Sequence, residues 1–141
     1  MKIRLVMLGK TRRNELRALI DDYLARLRHF TPVEASELRQ AEALARLKTE
    51  PTAVWVLLDA GGREFGSEEF AKWLAELRDR GVREILFLCG GAEGFPPSWR
   101  NQTRERLSLG RLTLSHELAR AVLAEQLYRA FALLAGHPYP K

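Results

Sequence analysis

Two glycine-rich segments, each carrying one carboxylate, follow the two most apolar runs of the sequence. Asp59 precedes Gly61 and Gly62 after the run AVWVLL, and the run ILFLC leads into GGAEG, residues 90–94. Glycine adopts positive φ and lets a backbone approach a ligand closely. Ligands of open parallel sheets bind beyond the carboxyl ends of the strands. The two segments therefore predict a binding site, and tight strand-to-helix turns are the alternative interpretation of the same glycines.

The spacing of these glycines argues against a nucleoside polyphosphate as the ligand. The sequence has no GxxxxGK[ST] motif, and GGAEG lacks the GxGxxG spacing of dinucleotide-binding folds. A carboxylate at Glu93 would also repel a pyrophosphate. A neutral or cationic nucleoside derivative fits better. Residues 107–114 mix small, apolar and hydroxyl side chains around Gly110, so their backbone could present N–H and C=O groups to a purine edge.

Few side chains near these segments could act as acids, bases or nucleophiles. The nearby histidines are His116 and His137, and a lone histidine more often caps a helix than catalyses. Glu125 and Arg129 have the spacing of a helical ion pair. Cys89 lies in an apolar run, which predicts an inert thiol. Three histidines and one cysteine without metal-ligand spacing predict that no metal is bound.

The hydrophobic pattern predicts an α/β domain with a parallel sheet. Strands are predicted at 3–8, 33–38, 54–58 and 85–89, and the last two are apolar throughout, as in strands covered on both faces. Helices are predicted from Asn14, over 40–48, and from an N-cap at Ser67 to a stop at Gly81. Gly61-Gly62 is predicted to turn the chain between strand and helix.

The segment after Ser115, a predicted N-cap, has the pattern of a helix with two apolar faces. The first face contains Leu118, Ala119, Val122, Leu123, Leu127, Ala130, Phe131 and Leu134. The second contains Ala121, Ala124, Tyr128 and Ala132. Because a domain of this size is expected to cover only one such face, the second is predicted to lie in a homodimer interface.

Composition places the chain among ordinary globular proteins and adds a basic charge. The 141 residues predict one domain, and no apolar run approaches the roughly 20 residues that span a bilayer. A single cysteine excludes an internal disulfide and favours the cytoplasm. The net charge is +5, and 18 of the 23 basic residues are arginine. This charge fits either a solvated arginine-rich surface or a nucleic-acid footprint, and composition does not separate the two.

Four stretches together resemble the ribosomal RNA large subunit methyltransferase H family. They are LLD at 57–59, GGAEG at 90–94, LSLGRLTLSHELARAVLAEQLYRA at 107–130 and HPY at 137–139, and the resemblance runs from KIRLVMLGK to the end. It implies a SPOUT-type parallel-sheet fold over 1–141 with a C-terminal trefoil knot, a homodimer, and S-adenosylmethionine as methyl donor. It further implies methylation of N3 of a pseudouridine in large-subunit (23S) ribosomal RNA, on the assembled ribosome in the cytoplasm.

The resemblance also assigns residues by position. It places the cofactor at Leu58, Gly91, Gly110, Arg111, Leu112, Thr113, Leu114 and Ser115. Its catalytic candidates are His116 and His137 as bases for the N3 proton, Arg129 as a stabiliser of developing charge, and Tyr139 as a contact of the target base. The pattern departs from the family after HPY, where Pro140 and Lys141 follow and Lys141 is the candidate substitute for further basic residues.

Two other functions stay open from the sequence. One is a non-catalytic knotted dimer that binds RNA or the ribosome, and the other is an enzyme that uses a different nucleoside ligand. Calorimetric titration with S-adenosylmethionine distinguishes them, because a binding-only dimer would not take up the cofactor and a different enzyme would prefer another nucleoside.

Overall fold

A five-stranded parallel sheet forms the centre of the molecule. The computed structural model describes residues 1–139. Its strands are β1 (Lys2–Leu8), β2 (Val33–Leu38), β3 (Val54–Glu64), β4 (Glu84–Cys89) and β5 (Glu105–Ser108), in the order β2-β1-β4-β3-β5. Every neighbouring pair is parallel. All six residues of the central strand β4 are buried, which confirms the prediction from its unbroken apolar run.

Helices cover both faces of this sheet. They are α1 (Asn14–Leu27), α2 (Ser67–Asp79), α3 (Pro97–Gln102) and α4 (His116–Leu134), and a short 3-10 helix occupies Ala41–Arg46. Alternate strand residues point to opposite faces and supply two cores. The larger core lies under α1, α2 and α4, and the smaller one surrounds the buried Trp99 of α3. Within residues 1–139 no helix is both long and apolar enough to cross a bilayer.

Two details of the predicted element boundaries are wrong. Gly61-Gly62 does not end the strand, because β3 continues to Glu64 after a register shift between Leu58 and Arg63. A Cβ at Gly62 would stand 2.7 Å from the backbone carbon of Arg106, so glycine is required where β3 passes β5. Ser67 is not the N-cap of α2 either.

The start of α2 is capped from a different residue. The N-cap is Gly66, whose N–H donates to Oε1 of Glu69 at 2.8 Å. The Ser67 hydroxyl instead donates to Oε1 of Gln126 on α4, at 2.7 Å. The predicted stop at Gly81 is confirmed, with φ +90° at that residue. Helix α3 and strand β5 were not predicted, because each has too few residues for a periodic pattern.

The two apolar faces of α4 are both covered by the chain itself, so the predicted placement of the second face in an interface is wrong. Ala124 is fully buried and Tyr128 is 7% exposed. The reason is that α4 packs against α1, α2 and the sheet, so that ten of its nineteen residues are buried. What remains outward is a narrow stripe with Leu118, Val122 and Leu133, of which Leu118 is 39% and Leu133 42% exposed.

Candidate active site

A cavity of about 500 Å³ opens at the carboxyl edge of the sheet, where the three predicted segments meet. The ends of β3, β4 and β5 form its walls, together with residues 109–116 leading into α4. Most of the predicted cofactor residues line it: Leu58, Gly91, Gly110, Leu112, Thr113, Leu114 and Ser115. Arg111 is exposed and does not line the cavity. The volume falls in the range of small-molecule sites, roughly 300–1,000 Å³.

The cavity wall carries almost no charge. None of its lining residues is lysine or arginine, and its titratable groups are Asp59, Cys89 and His116. Asp59 is already engaged, because its Oδ2 lies 3.2 Å from Arg100 and 3.9 Å from Arg106, and its Oδ1 accepts from the Gly61 N–H. Phosphate groups need cations or several free N–H donors. The wall offers a phosphate no lysine or arginine to pair with, which is consistent with the neutral or cationic nucleoside derivative expected from the glycine spacing.

The GGAEG segment forms a tight turn at the mouth of this cavity. Gly91 and Gly94 exchange backbone hydrogen bonds of 2.8 and 2.9 Å, and Gly94 has φ +83°. Ala92 and Glu93 are exposed at the tip. A Cβ on Gly91 would stand 2.8 Å from the carbonyl oxygen of Leu8. The glycine at 91 is therefore required by the close approach of the chain itself, and the same residue also forms part of the cavity wall.

Arg120 fixes this turn from below, a role that no sequence pattern predicted. Its side chain is fully buried and donates to the carbonyl oxygens of Leu8 at 2.7 Å, Gly9 at 3.1 Å and Gly90 at 3.3 Å. It also donates to the Thr11 hydroxyl at 3.0 Å. One guanidinium thus ties the ends of β1 and β4 to α4. In the sequence, an arginine within a helical pattern cannot be distinguished from one that faces solvent. The role of Arg120 therefore becomes visible only in the three-dimensional contacts.

The amino end of α4 adjoins the cavity and is held by its side chains. The Ser115 hydroxyl accepts from the Leu118 N–H at 3.4 Å, which confirms the predicted N-cap. His116 lines the cavity, and its Nε2 lies 3.8 Å from Oε2 of Glu117. The Glu117 carboxylate is buried and accepts from the Arg13 N–H at 2.9 Å. Backbone hydrogen bonds from Arg13 and then Arg12 lower the pKa of Glu117.

The cavity floor includes the single cysteine of the chain. Cys89 is 1% exposed at the end of β4, and burial raises the pKa of its thiol to about 12. This agrees with the prediction of an inert core thiol. Among residues 1–139 no three histidine, cysteine, aspartate or glutamate side chains are arranged to hold a metal ion.

The other three catalytic candidates gather at the carboxyl end of α4. The Tyr139 hydroxyl donates to Oε2 of Glu125 at 2.8 Å, and the same oxygen accepts from Arg129 at 2.9 Å. The Arg129 guanidinium lies 4.5 Å from the centre of the Tyr139 ring. The Tyr139 ring meets Tyr128 edge-on at 4.8 Å. Burial, with hydrogen bonds to Tyr23 and Glu125, raises the pKa of Tyr139.

His137 belongs to the same group of aromatic rings. It is exposed, and its ring stands edge-on to Phe30 with the centroids 6.0 Å apart. We call Tyr23, Phe30, Glu125, Tyr128, Arg129, His137 and Tyr139 the aromatic cluster. The predicted Glu125–Arg129 ion pair is confirmed within it, and each partner is about one-fifth to one-quarter exposed. Pro140 and Lys141, the predicted departure from the family pattern, lie outside the described residues.

The two groups of candidates are too far apart to act together within one chain. His116 and Arg129 are separated by 13 residues of one helix, which is roughly 20 Å along its axis at 1.5 Å per residue. The cavity holds His116, and the aromatic cluster holds Arg129, His137 and Tyr139. A single methyl-transfer site that used all four would need two chains.

Comparison with known proteins identifies the family. Residues 1–140 match the family model described as "Predicted SPOUT methyltransferase". The chain is 42% identical over 142 residues to the ribosomal RNA large subunit methyltransferase H of Koribacter versatilis, covering 99% of this chain and 97% of the relative. The chain belongs to the ribosomal RNA large subunit methyltransferase H family. It is 40% identical over 139 residues to the protein of the same name from Solibacter usitatus, covering 99% of both chains.

Solved structures with little sequence similarity share the fold. A protein from Haemophilus influenzae Rd KW20 described as a "probable methylase family protein" superposes with a TM-score of 0.59 at 12% identity, over 99% of this chain and 72% of that one. The SpoU methyltransferase AviRb from Streptomyces viridochromogenes, solved with the cofactor AdoMet, gives 0.53 at 13% identity, over 96% and 61%. The predicted family, SPOUT fold and S-adenosylmethionine-dependent methyltransferase class are confirmed. The trefoil knot stays a prediction.

Proposed function

We propose that this methyltransferase transfers a methyl group from S-adenosylmethionine to N3 of a pseudouridine in large-subunit ribosomal RNA, on the assembled ribosome in the cytoplasm. The observation that carries the cofactor half of this proposal is the cavity wall: about 500 Å³, glycine-rich, and without a cationic side chain. S-adenosylmethionine has a positively charged sulfonium and no phosphate group, so its binding does not require lysine or arginine side chains in the cavity wall. The relatives' names supply the RNA half.

The residues present fit the cofactor. Gly91, Gly110 and residues 112–115 would hold it with backbone groups and small side chains, and Leu58 would contact it from the end of β3. The bound cofactor supplies an activated methyl group, so orienting the two reactants provides much of the rate enhancement. The N3 proton of the target must leave, and His116, at the cavity wall, is the candidate base from this side.

We further propose that the enzyme works as a homodimer in which each site is shared. The roughly 20 Å between His116 and Arg129 argues for this arrangement, since the aromatic cluster of one chain would face the cavity of its partner. Arg129 would stabilise the developing charge of the imide, while Tyr139 and His137 would contact the base or its proton. The outward stripe of α4, with Leu118 and Leu133, is the candidate contact surface.

Cofactor binding is tested by isothermal titration with S-adenosylmethionine, S-adenosylhomocysteine and ATP. We expect both sulfur nucleosides to bind and ATP not to bind, because the lining residues offer its phosphates no cation. Nucleoside mass spectrometry of large-subunit RNA after reaction then identifies the product. Absence of cofactor binding at millimolar concentration would favour the non-catalytic dimer, and a methyl group on another nucleoside would contradict the proposed target.

The shared site is tested by mixing two inactive chains. His116→Ala damages the cavity side and Arg129→Ala the cluster side, so each homodimer is expected to be inactive. Random exchange of subunits gives half heterodimers, each with one intact site, and should restore about a quarter of the wild-type activity. Mixing His116→Ala with Ser115→Ala, two changes on the cavity side, is the control and should restore nothing. Failure of the first mixture despite subunit exchange would show that the sites are not shared.

A further inference from the structure

Most of the basic residues near the start of the chain are already engaged within it. Lys2 pairs with Glu34, Arg4 with Glu84, Arg13 with Glu15 and Arg26 with Asp22, while Arg17 and Arg28 donate to backbone carbonyls. Lys10 and Arg12 differ from these residues. Both are exposed, and neither side chain forms a hydrogen bond or ion pair with another residue of 1–139. Their charges are available to a partner.

The backbone that carries these two cations is held in place. The residue between them, Thr11, is 3% exposed, and its N–H donates to Oε2 of Glu37 at 2.9 Å. The Thr11 carbonyl accepts from Arg17 at 2.8 Å, and its hydroxyl accepts from Arg120 at 3.0 Å. We call residues 9–13 the basic loop. It combines a buried anchor with outward cations, so a ligand would not have to order it on binding.

The basic loop flanks the cavity. The guanidinium of Arg120 that binds the Gly9 carbonyl also binds the carbonyl of Gly90, a cavity-lining residue. At its other end, the Arg13 N–H donates to Glu117, the residue next to His116. The loop therefore lies at the same edge of the sheet as the methyl-transfer site. The cavity itself carries no cation, so the positive charge lies beside the site rather than inside it.

We propose that the basic loop binds the sugar–phosphate backbone of the substrate RNA next to the target nucleotide, with Lys10 and Arg12 each contacting a phosphate. This inference rests on the proposed function, because it takes RNA as the substrate. Phosphate contacts fix the position of a nucleic acid without reading its sequence. Two cations on a fixed backbone, beside a cavity without lysine or arginine, suit that role, because the loop can hold the strand while the cavity and the partner chain receive the base.

The test compares two double variants with the same change in charge. Lys10→Gln with Arg12→Gln removes both free cations of the basic loop. Arg80→Gln with Arg83→Gln is the matched control, because both arginines are exposed, lack a side-chain partner among residues 1–139, and lie before β4 at the opposite edge of the sheet. Binding to assembled ribosomes and to protein-free large-subunit RNA is measured from low to physiological salt, alongside calorimetry with S-adenosylmethionine.

We expect the basic-loop variant to bind RNA roughly tenfold more weakly, or worse, at physiological salt. The slope of log Kd against the logarithm of the salt concentration should fall by about two, because two contacts that release counterions are gone. Its cofactor affinity should equal that of wild type, and the control should change RNA affinity less than twofold. Equal losses in both variants, or no loss in either, would overturn the proposal. Loss of affinity for assembled ribosomes but not for protein-free RNA would assign the loop to a ribosomal protein and overturn the RNA assignment.

Failure of the proposed function gives a different result. If wild type binds RNA but no S-adenosylmethionine, the enzyme assignment fails while the basic loop can still be measured by its RNA affinity. The opposite case is also distinguishable. If wild type binds the cofactor and methylates RNA, and the basic-loop variant has the same KM for RNA as wild type, the loop proposal fails while the proposed function stands.

Discussion

At its amino end α4 is held by two buried charged side chains, Glu117 and Arg120, whereas its carboxyl end carries the Glu125–Arg129 pair and lies beside the partly exposed rings of the aromatic cluster. The buried pair bonds backbone groups of other segments, and those segments form the cavity. The groups of the aromatic cluster mainly contact one another. The amino end of the helix therefore holds the segments that form the cavity, whereas its carboxyl end lies in a group of side chains that we propose acts in the site of a partner chain.

The largest effect on folding is expected from Arg120→Met. It removes the donor for three carbonyl oxygens and one hydroxyl, and we expect a loss of about 3 kcal/mol or more in the free energy of unfolding, measured by urea denaturation. Arg129→Met at the other end should lose less than about 1 kcal/mol, since its ion pair is partly solvated, while abolishing methyl transfer. Equal destabilisation by the two changes would remove the distinction between the ends.

An intermediate effect is expected from Gly91→Val. The new Cβ would stand 2.8 Å from the Leu8 carbonyl, so the turn must shift, with a loss of about 1–3 kcal/mol and a lower affinity for S-adenosylmethionine. Gly61→Ala is the matched control, because the nearest atom to its Cβ is 3.8 Å away and its φ is not positive. Wild-type stability and cofactor affinity in the Gly91→Val protein would show that the GGAEG turn does not shape the cavity.

A smaller, pH-dependent effect is expected from Glu117→Gln. The pKa of Glu117 is lowered on folding, so the carboxylate stabilises the fold above its unfolded pKa of about 4.3, and this contribution is lost as the pH falls through the folded value. Wild type should therefore melt above the variant at pH 7, and the two melting temperatures should converge below about pH 4. A difference in melting temperature that stays constant down to pH 3 would mean that the hydrogen bonds do not depend on the charge.

The smallest change in folding stability is expected from Leu133→Glu, on the outward stripe of α4. Leu133 is 42% exposed, so the unfolding free energy of the isolated chain should change by no more than about 0.5 kcal/mol. Light scattering should nevertheless report monomers, and methyl transfer should be lost with the shared site. Arg83→Gln, at the far edge of the sheet, controls for the change in charge, because it also lowers the net charge by one unit. A Leu133→Glu dimer with normal activity would place the interface elsewhere.

The strands and the site loops could be predicted because their signals are local. An unbroken apolar run such as 85–89 predicts a buried parallel strand, and a glycine-rich segment after it predicts a ligand-binding edge. Those predictions led to the three segments that line the cavity. The assignment of individual cofactor residues, seven of which line the cavity, came from the family resemblance and not from these local signals.

The errors involve contacts between distant parts of the chain. The pattern of α4 correctly gives two apolar faces, but it contains no information on whether α1 and α2 or a second chain covers Ala124. Arg120 is one arginine among 18 in the sequence, and its three carbonyl partners come from residues more than 29 positions away. The bend in β3 at Gly62 depends on β5, about 45 residues later.

The buried position of Cys89 has a consequence for measuring motion at the cavity. Its thiol is the only one in the chain, is 1% exposed at the cavity floor, and has a pKa of about 12. An alkylating reagent can therefore react with it only when the surrounding turn opens and the thiol meets water. The labelling rate of the unmodified protein, followed by mass, reports the opening frequency of the cavity floor without an introduced probe, and a bound nucleoside would slow it in proportion to its occupancy.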